Sequence, residues 1–247
     1  MGSNHPAWKP GPRIADMESA EVIQRPLHAV LIGEGPPLVL VHGLLVSGEM
    51  FAPVVPDLAR RHRLVIPDLR GQGASASLPG PYTPGRLTID LAALLEDLGL
   101  SRVPVLGYSQ GGPIALQLLH DHPDLVGRLI LACTYAFNMA TIEERLEGHL
   151  MPWMLLAFGP RTFGNVAKFA NVTGGRRLTP EQADWLTRQM TETPRRTAAH
   201  LARGAMAFDG RPWLQGVGVP ALIVAGAEDR AVPLHHAAML ARDIARA

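Results

Sequence analysis

The chain has 247 residues, 47% hydrophobic and 18% charged, with 23 Lys+Arg against 22 Asp+Glu. That size and balance suffice for one sizeable core and exclude a peptide, a linker or a disordered tail. Basic pairs such as Arg176-Arg177 and Arg195-Arg196 read as solvated helix faces, so no nucleic-acid or acidic-lipid partner is expected. The single Cys133 lies in the apolar run from Leu129 and has no intramolecular disulfide partner, which predicts a buried small hydrophobe. The N-terminus lacks an apolar signal-type core and no stretch approaches the ~20 apolar residues that span a bilayer. A cytoplasmic protein without membrane association is the expectation.

Residues 1–18 are rich in Pro, Gly and polar groups and are expected to be a mobile tail, with the fold starting near residue 19 or 20. Val22-Ile23 and Ala29-Val30-Leu31-Ile32 read as short strands, and residues 33–37 as the turn into a third. Leu38-Val39-Leu40-Val41 is apolar without alternation, the pattern of a strand covered on both faces of a parallel sheet. The same pattern returns at 63–66, 103–106, 129–132 and 219–224. Helical stretches fall between these runs, at roughly 49–61, at 84–98 with Thr83 as N-cap and Pro84 behind it, and at 110–121. The alternation predicts an α/β fold with a mostly parallel central sheet and flanking helices.

From 134 to 213 the rhythm breaks. Thr141-x-x-Glu144 and Thr179-x-x-Gln182 are capping boxes, and no convincing strand lies between them, so this segment is expected to be a helical cap inserted into a domain spanning 19–247. Most of its aromatic side chains should pack onto the main domain, with a minority roofing an apolar pocket.

Between the strand ending at Leu106 and the helix near Gln110 stands Gly107-Tyr108-Ser109-Gln110-Gly111, a G-x-S-x-G motif in a strand-turn-helix context. The glycines let strand and helix approach closely while the serine takes a strained conformation that exposes its hydroxyl at the sheet's carboxyl edge. The helix N-terminus aims free N–H groups at the same place. A serine nucleophile needs donors for the oxyanion that grows on the attacked carbonyl. Gln110 N–H is one candidate, and Leu44 N–H, in His42-Gly43-Leu44 after the third strand, is the other. His42 reads as a structural residue of that loop, and Asp68 as part of a tightly hydrogen-bonded turn with Arg70.

The segments HGLL at 42–45, PDLRGQGAS at 67–75, GYSQGG at 107–112 and AGAEDRAVP at 225–233 occur in this order. Together they resemble the α/β-hydrolase fold superfamily, and within it small cofactor-independent esterase-like members with a helical cap. The resemblance runs from about residue 20 to the end. It implies Ser109 as nucleophile, Asp229 as the triad acid, and Leu44 and Gln110 as oxyanion donors. Asp229 follows the apolar strand at 219–224, at a carboxyl strand end where ligand-facing groups of open α/β sheets collect; Glu228 is the fallback acid.

In this superfamily the triad runs Ser, Asp or Glu, then His. This chain ends 18 residues after Asp229 with no motif histidine. Three explanations compete: a C-terminal strand and helix missing from the sequence, a non-catalytic relative, or an unusual triad using His235 or His236. The first is favoured, because a sheet ending at 219–224 leaves an unpaired edge while elbow, oxyanion loop and acid are all kept. His235, His236, His120, His122, His149 and His200 read as helix-surface residues.

The implied chemistry is acyl transfer through an acyl-enzyme, with a small apolar ester, lactone or thioester as substrate and neither metal nor organic cofactor. Serine rather than aspartate at the elbow disfavours alkyl-enzyme chemistry. The alternative is a non-catalytic relative that binds a small apolar ligand.

Overall fold

A computed structural model describes residues 12–169, 180–190 and 193–247. Seven strands form one sheet: β1 (Glu21–Gln24), β2 (His28–Ile32), β3 (Pro37–Val41), β4 (Arg63–Pro67), β5 (Val103–Tyr108), β6 (Val126–Ala132) and β7 (Ala221–Val224). Their order is β1-β2-β4-β3-β5-β6-β7. β2 pairs antiparallel with β1 and β4, and every other pairing is parallel.

The unbroken apolar runs have a direct cause. Along β3, Val39 and Val41 point into one core with Val65 and Val105, while Leu38 and Leu40 point into a second core with Leu64 and Ile66. Both faces are covered, so no polar alternation is possible. The first core is closed by α2 (Pro84–Asp97) and α3 (Gly111–Asp121), after a short α1 (Val55–Leu58) that helps close the second. Leu87, Leu91, Leu94 and Leu95 form the buried stripe of α2. Its start is the one expected from sequence: Thr83 accepts a hydrogen bond from Arg86 N–H, with Pro84 behind it.

Three expectations need correction. The helix expected at 49–61 is a 3-10 turn at Gly48–Phe51 followed by α1 alone. Pro53 and Pro56 lack the N–H groups that a continuous helix would use. The tail expected to be mobile through residue 18 is anchored at its described end: Ile14 is buried, and its N–H donates to both carboxylate oxygens of Glu49 at 3.1 and 3.0 Å. β7 is shorter than 219–224 and is an edge strand, leaving Leu222 57% and Val224 45% exposed.

Among the described residues of 134–213 the regular structure is helical, apart from an isolated bridge between Phe137 and Asp209. The helices are α4 (Ile142–Phe169), α5 (Pro180–Met190) and α6 (Arg195–Met206), and α7 (Leu234–Asp243) follows β7. α4 breaks at Gly159, whose φ of 80° precedes Pro160. The Thr141 capping box is formed in both directions, with Thr141 accepting from Glu144 N–H at 3.2 Å and Glu144 Oε2 accepting from Thr141 N–H at 2.9 Å. The Thr179 box lies outside the described residues. Among the described residues no helix is long and apolar enough to cross a membrane.

Arg70, in the turn after β4, is fastened to α2. Its guanidinium makes a two-pronged contact with Asp90 and donates to Pro79 O at 2.6 Å, and both charged side chains are buried. Removing one charge of such a pair strands the other. Asp90→Asn is therefore expected to cost about 3–5 kcal/mol of stability, read from urea denaturation; a loss under about 1 kcal/mol would show the pair to be dispensable.

Candidate functional site

Ser109 follows β5 directly and has a φ of 51°. A non-glycine residue in this left-handed region costs about 1–3 kcal/mol and persists only where its surroundings fix it. Here they do. Ser109 N–H donates to Ala132 O at 3.0 Å, and its carbonyl accepts from Gly112 N–H and from the Thr134 hydroxyl. The glycines allow the backbones to meet: a methyl group at Gly111 would lie 2.2 Å from Val41 O, and one at Gly112 would lie 2.0 Å from the Thr134 oxygen. The loop after β3 reaches the same point, since a methyl group on Gly43 would be 3.2 Å from Ser109 Cβ and 3.6 Å from its Oγ.

The N–H groups of Leu44 and Gln110 flank this meeting point, one residue beyond Gly43 and one beyond Ser109. Among the described residues neither is donated to another protein group. The turn therefore sets the half-buried Ser109 at the N-terminus of α3, beside the loop after β3.

His42 is buried, and its two ring nitrogens are both used. Nδ1–H donates to Gly43 O at 2.8 Å and Nε2 accepts from Leu69 N–H at 2.9 Å. Burial holds its pKa below the ordinary histidine value, so the ring is a neutral tie between two loops, as its sequence context suggests. Asp68 is likewise structural, accepting from Gly48 N–H at 2.7 Å and Ala74 N–H at 2.8 Å, with His28 Nδ1 at 3.2 Å. Burial alone would raise its pKa, but these partners hold it below the usual carboxylate range.

Asp229 is half-buried in the loop after β7, where its Oδ1 accepts from Ala231 and Val232 N–H at 2.9 Å each. Glu228 is exposed. The Asp229 carboxylate meets the Cys133 thiol, whose pKa rises through burial and this acidic neighbour. Burial, followed by Cys133 and Asp229, pushes Tyr108 up to about 12. Cys133 is thus no core hydrophobe: it is half-buried just past β6, with a φ of 45°, and its N–H donates to Val224 O at 2.7 Å. The carboxyl edge of β5, β6 and β7 gathers Tyr108, Cys133 and Asp229 next to the serine turn.

The histidines lie elsewhere. His236 is buried rather than on a helix surface, and its Nε2 and that of His235 both lie 2.9 Å from Glu144 Oε1. His120 stacks on Trp213 at 4.4 Å. It and His122 sit at the far end of α3, roughly 16 to 20 Å from Ser109 at ~1.5 Å per residue. His149 Nδ1 is 2.6 Å from Arg145 O, and His200 lies against Tyr82. Among the described residues no imidazole is hydrogen-bonded to Ser109. Nor do all the aromatics of 134–213 pack inward, since Trp153 is 64% and Phe158 59% exposed.

A sequence model described as the alpha/beta hydrolase fold matches residues 36–247. The chain belongs to the α/β-hydrolase fold family. Among its relatives is RutD of Caulobacter vibrioides, which carries a provisional carbamate-hydrolase name and is 29% identical over 221 residues, covering 84% of this chain and 78% of that one. The magnesium-chelatase 30 kDa subunit of Rhodobacter capsulatus is 32% identical over 226 residues, covering 85% and 76%. Among solved α/β-hydrolase structures, a hydrolase from Pseudomonas aeruginosa PA01 superimposes with a TM-score of 0.80 at 26% identity, covering 93% of this chain and 88% of that one.

Two outcomes follow from this geometry. Gly111→Ala is expected to lower stability by about 3 kcal/mol or more, because its methyl group meets backbone that has no room to yield; unchanged urea denaturation would refute the close approach. For Asp68, a folded pKa below the unfolded value means that its contribution is complete above about pH 4 and is lost as the pH falls through the lower, folded value. The stability gap between wild type and Asp68→Asn should therefore narrow on acidification below about pH 4, measured by denaturation at successive pH values.

Proposed function

We propose that this α/β-hydrolase is a serine hydrolase that cleaves a small carboxylic ester, lactone or thioester with an apolar group through an acyl-enzyme. The observation that carries this reading is the left-handed Ser109 at the β5 to α3 turn, with Gly43 pressed against it. In the proposed reaction Ser109 Oγ attacks the carbonyl carbon while Leu44 and Gln110 N–H groups hold the oxyanion. The alcohol or thiol then leaves, and water releases the acid from the acyl-serine. Asp229 is the proposed triad acid. The names of similar proteins favour acyl chemistry: solved structures at 25% and 26% identity include an esterase from Thermogutta terrifontis and an enol-lactonase from Burkholderia xenovorans LB400.

Among the described residues no imidazole is hydrogen-bonded to Ser109, and in the proposed step the serine proton passes through water to the departing alkoxide or thiolate, which leaves as the alcohol or thiol. His235 and His236 converge on Glu144, so neither is assigned to that step. A second reading, a non-catalytic relative that binds a small apolar ligand, gains support from the same observation. Reaction with a fluorophosphonate, followed by intact mass, separates the two. The hydrolase reading expects one adduct, abolished in Ser109→Ala and unchanged in the His235→Ala/His236→Ala double variant. A folded sample that takes no adduct would favour the binding reading.

A further inference from the structure

We propose that Glu144, His235 and His236 form a binding site for one zinc-class divalent cation, which fastens the start of α4 to the start of α7. Glu144 lies 92 positions from His236, yet its side chain converges on one point with those of the neighbouring His235 and His236. Both Nε2 atoms lie 2.9 Å from the same Glu144 oxygen, and the three donor atoms lie within 4.8 Å of one another. Ligand bonds of about 2.0–2.2 Å at tetrahedral angles separate donor atoms by roughly 3.4 Å. The cluster needs to open by only a few tenths of an ångström to admit the ion.

The donors are held from behind. Glu144 Oε2 is occupied by Thr141 N–H, which turns the other oxygen toward the histidines. The His236 ring is buried between Tyr135, 6.0 Å away, and His235, 4.1 Å away. The Thr141 hydrogen bond fixes the direction of the carboxylate, as partners behind a metal ligand do. Two imidazoles and one carboxylate suit zinc, cobalt, nickel or copper, whereas calcium and magnesium favour oxygen donors. The His235 side chain is 40% exposed, giving the ion a route in and leaving room for a water as fourth ligand. Bound there, the cation would staple the helical segment to the helix that follows the Asp229 loop. It takes no part in the chemistry proposed at Ser109.

The test uses the full chain, stripped with a chelator and titrated with Zn²⁺ by calorimetry and with Co²⁺ by visible absorption. One equivalent should bind, and cobalt should give the intense d–d bands of a low-coordinate nitrogen and oxygen site. Zinc should also raise the thermal midpoint. Glu144→Gln and the exposed-site variant His235→Asn should each lose at least about tenfold in affinity, together with the cobalt bands, while keeping wild-type circular dichroism. No stoichiometric binding, or binding with undiminished affinity in both variants, would overturn the proposal and leave the cluster as a hydrogen-bonded clamp.

Discussion

The close approach of three backbone segments around residue 109 is the constraint on which the candidate site depends. β5 ends there, α3 begins two residues later, and the loop after β3 lies against both. Two glycines of α3 face atoms closer than any side chain could tolerate, Gly111 against Val41 O and Gly112 against the Thr134 oxygen. That proximity lets Ala132 O and Gly112 N–H fix the serine in a conformation it would otherwise avoid. Local strain is thus held by long-range order, because β3, against which the turn packs, is buried on both faces.

Around this turn the loops are tied together by hydrogen bonds to buried polar side chains. His42 joins the loop after β3 to the loop after β4, Gln72 Oε1 accepts from Leu45 N–H at 2.6 Å, and Asp68 gathers two backbone donors. Buried groups of this kind gain little net energy from their hydrogen bonds but cost much when left alone. The platform therefore resists small rearrangements.

The legible parts of the sequence were those whose cause is local or periodic. Unbroken apolar runs marked β3 to β6 because helices or loops cover both sheet faces, and the Thr83 and Thr141 caps act within four residues. The elbow was legible as a motif set between a strand and a helix. The parts that misled depend on distant partners. Ile14 is held by Glu49, 35 positions away, and His236 by Glu144, 92 positions away, so neither environment is written in its neighbours. Cys133 looked like the end of a strand, yet its φ is positive because the chain turns off the sheet there. Pro53 and Pro56 stand within 49–61, and their missing N–H groups confine the helix there to α1. The roles proposed for Ser109, Leu44 and Gln110 draw their physical support from the turn geometry.

The sheet is unevenly protected, and its far edge sets the order in which it comes apart. β3 is paired on both sides and sealed on both faces, whereas β7 is paired only with β6 and shows Leu222 and Val224 to water. Amide hydrogens along β7 should therefore exchange through openings that need much less free energy than global unfolding, while those of β3 and β5 report the full value. Asp229 hangs from the end of this strand, and Ser109 from the end of β5. Of the two, the carboxylate belongs to the part of the molecule that opens first.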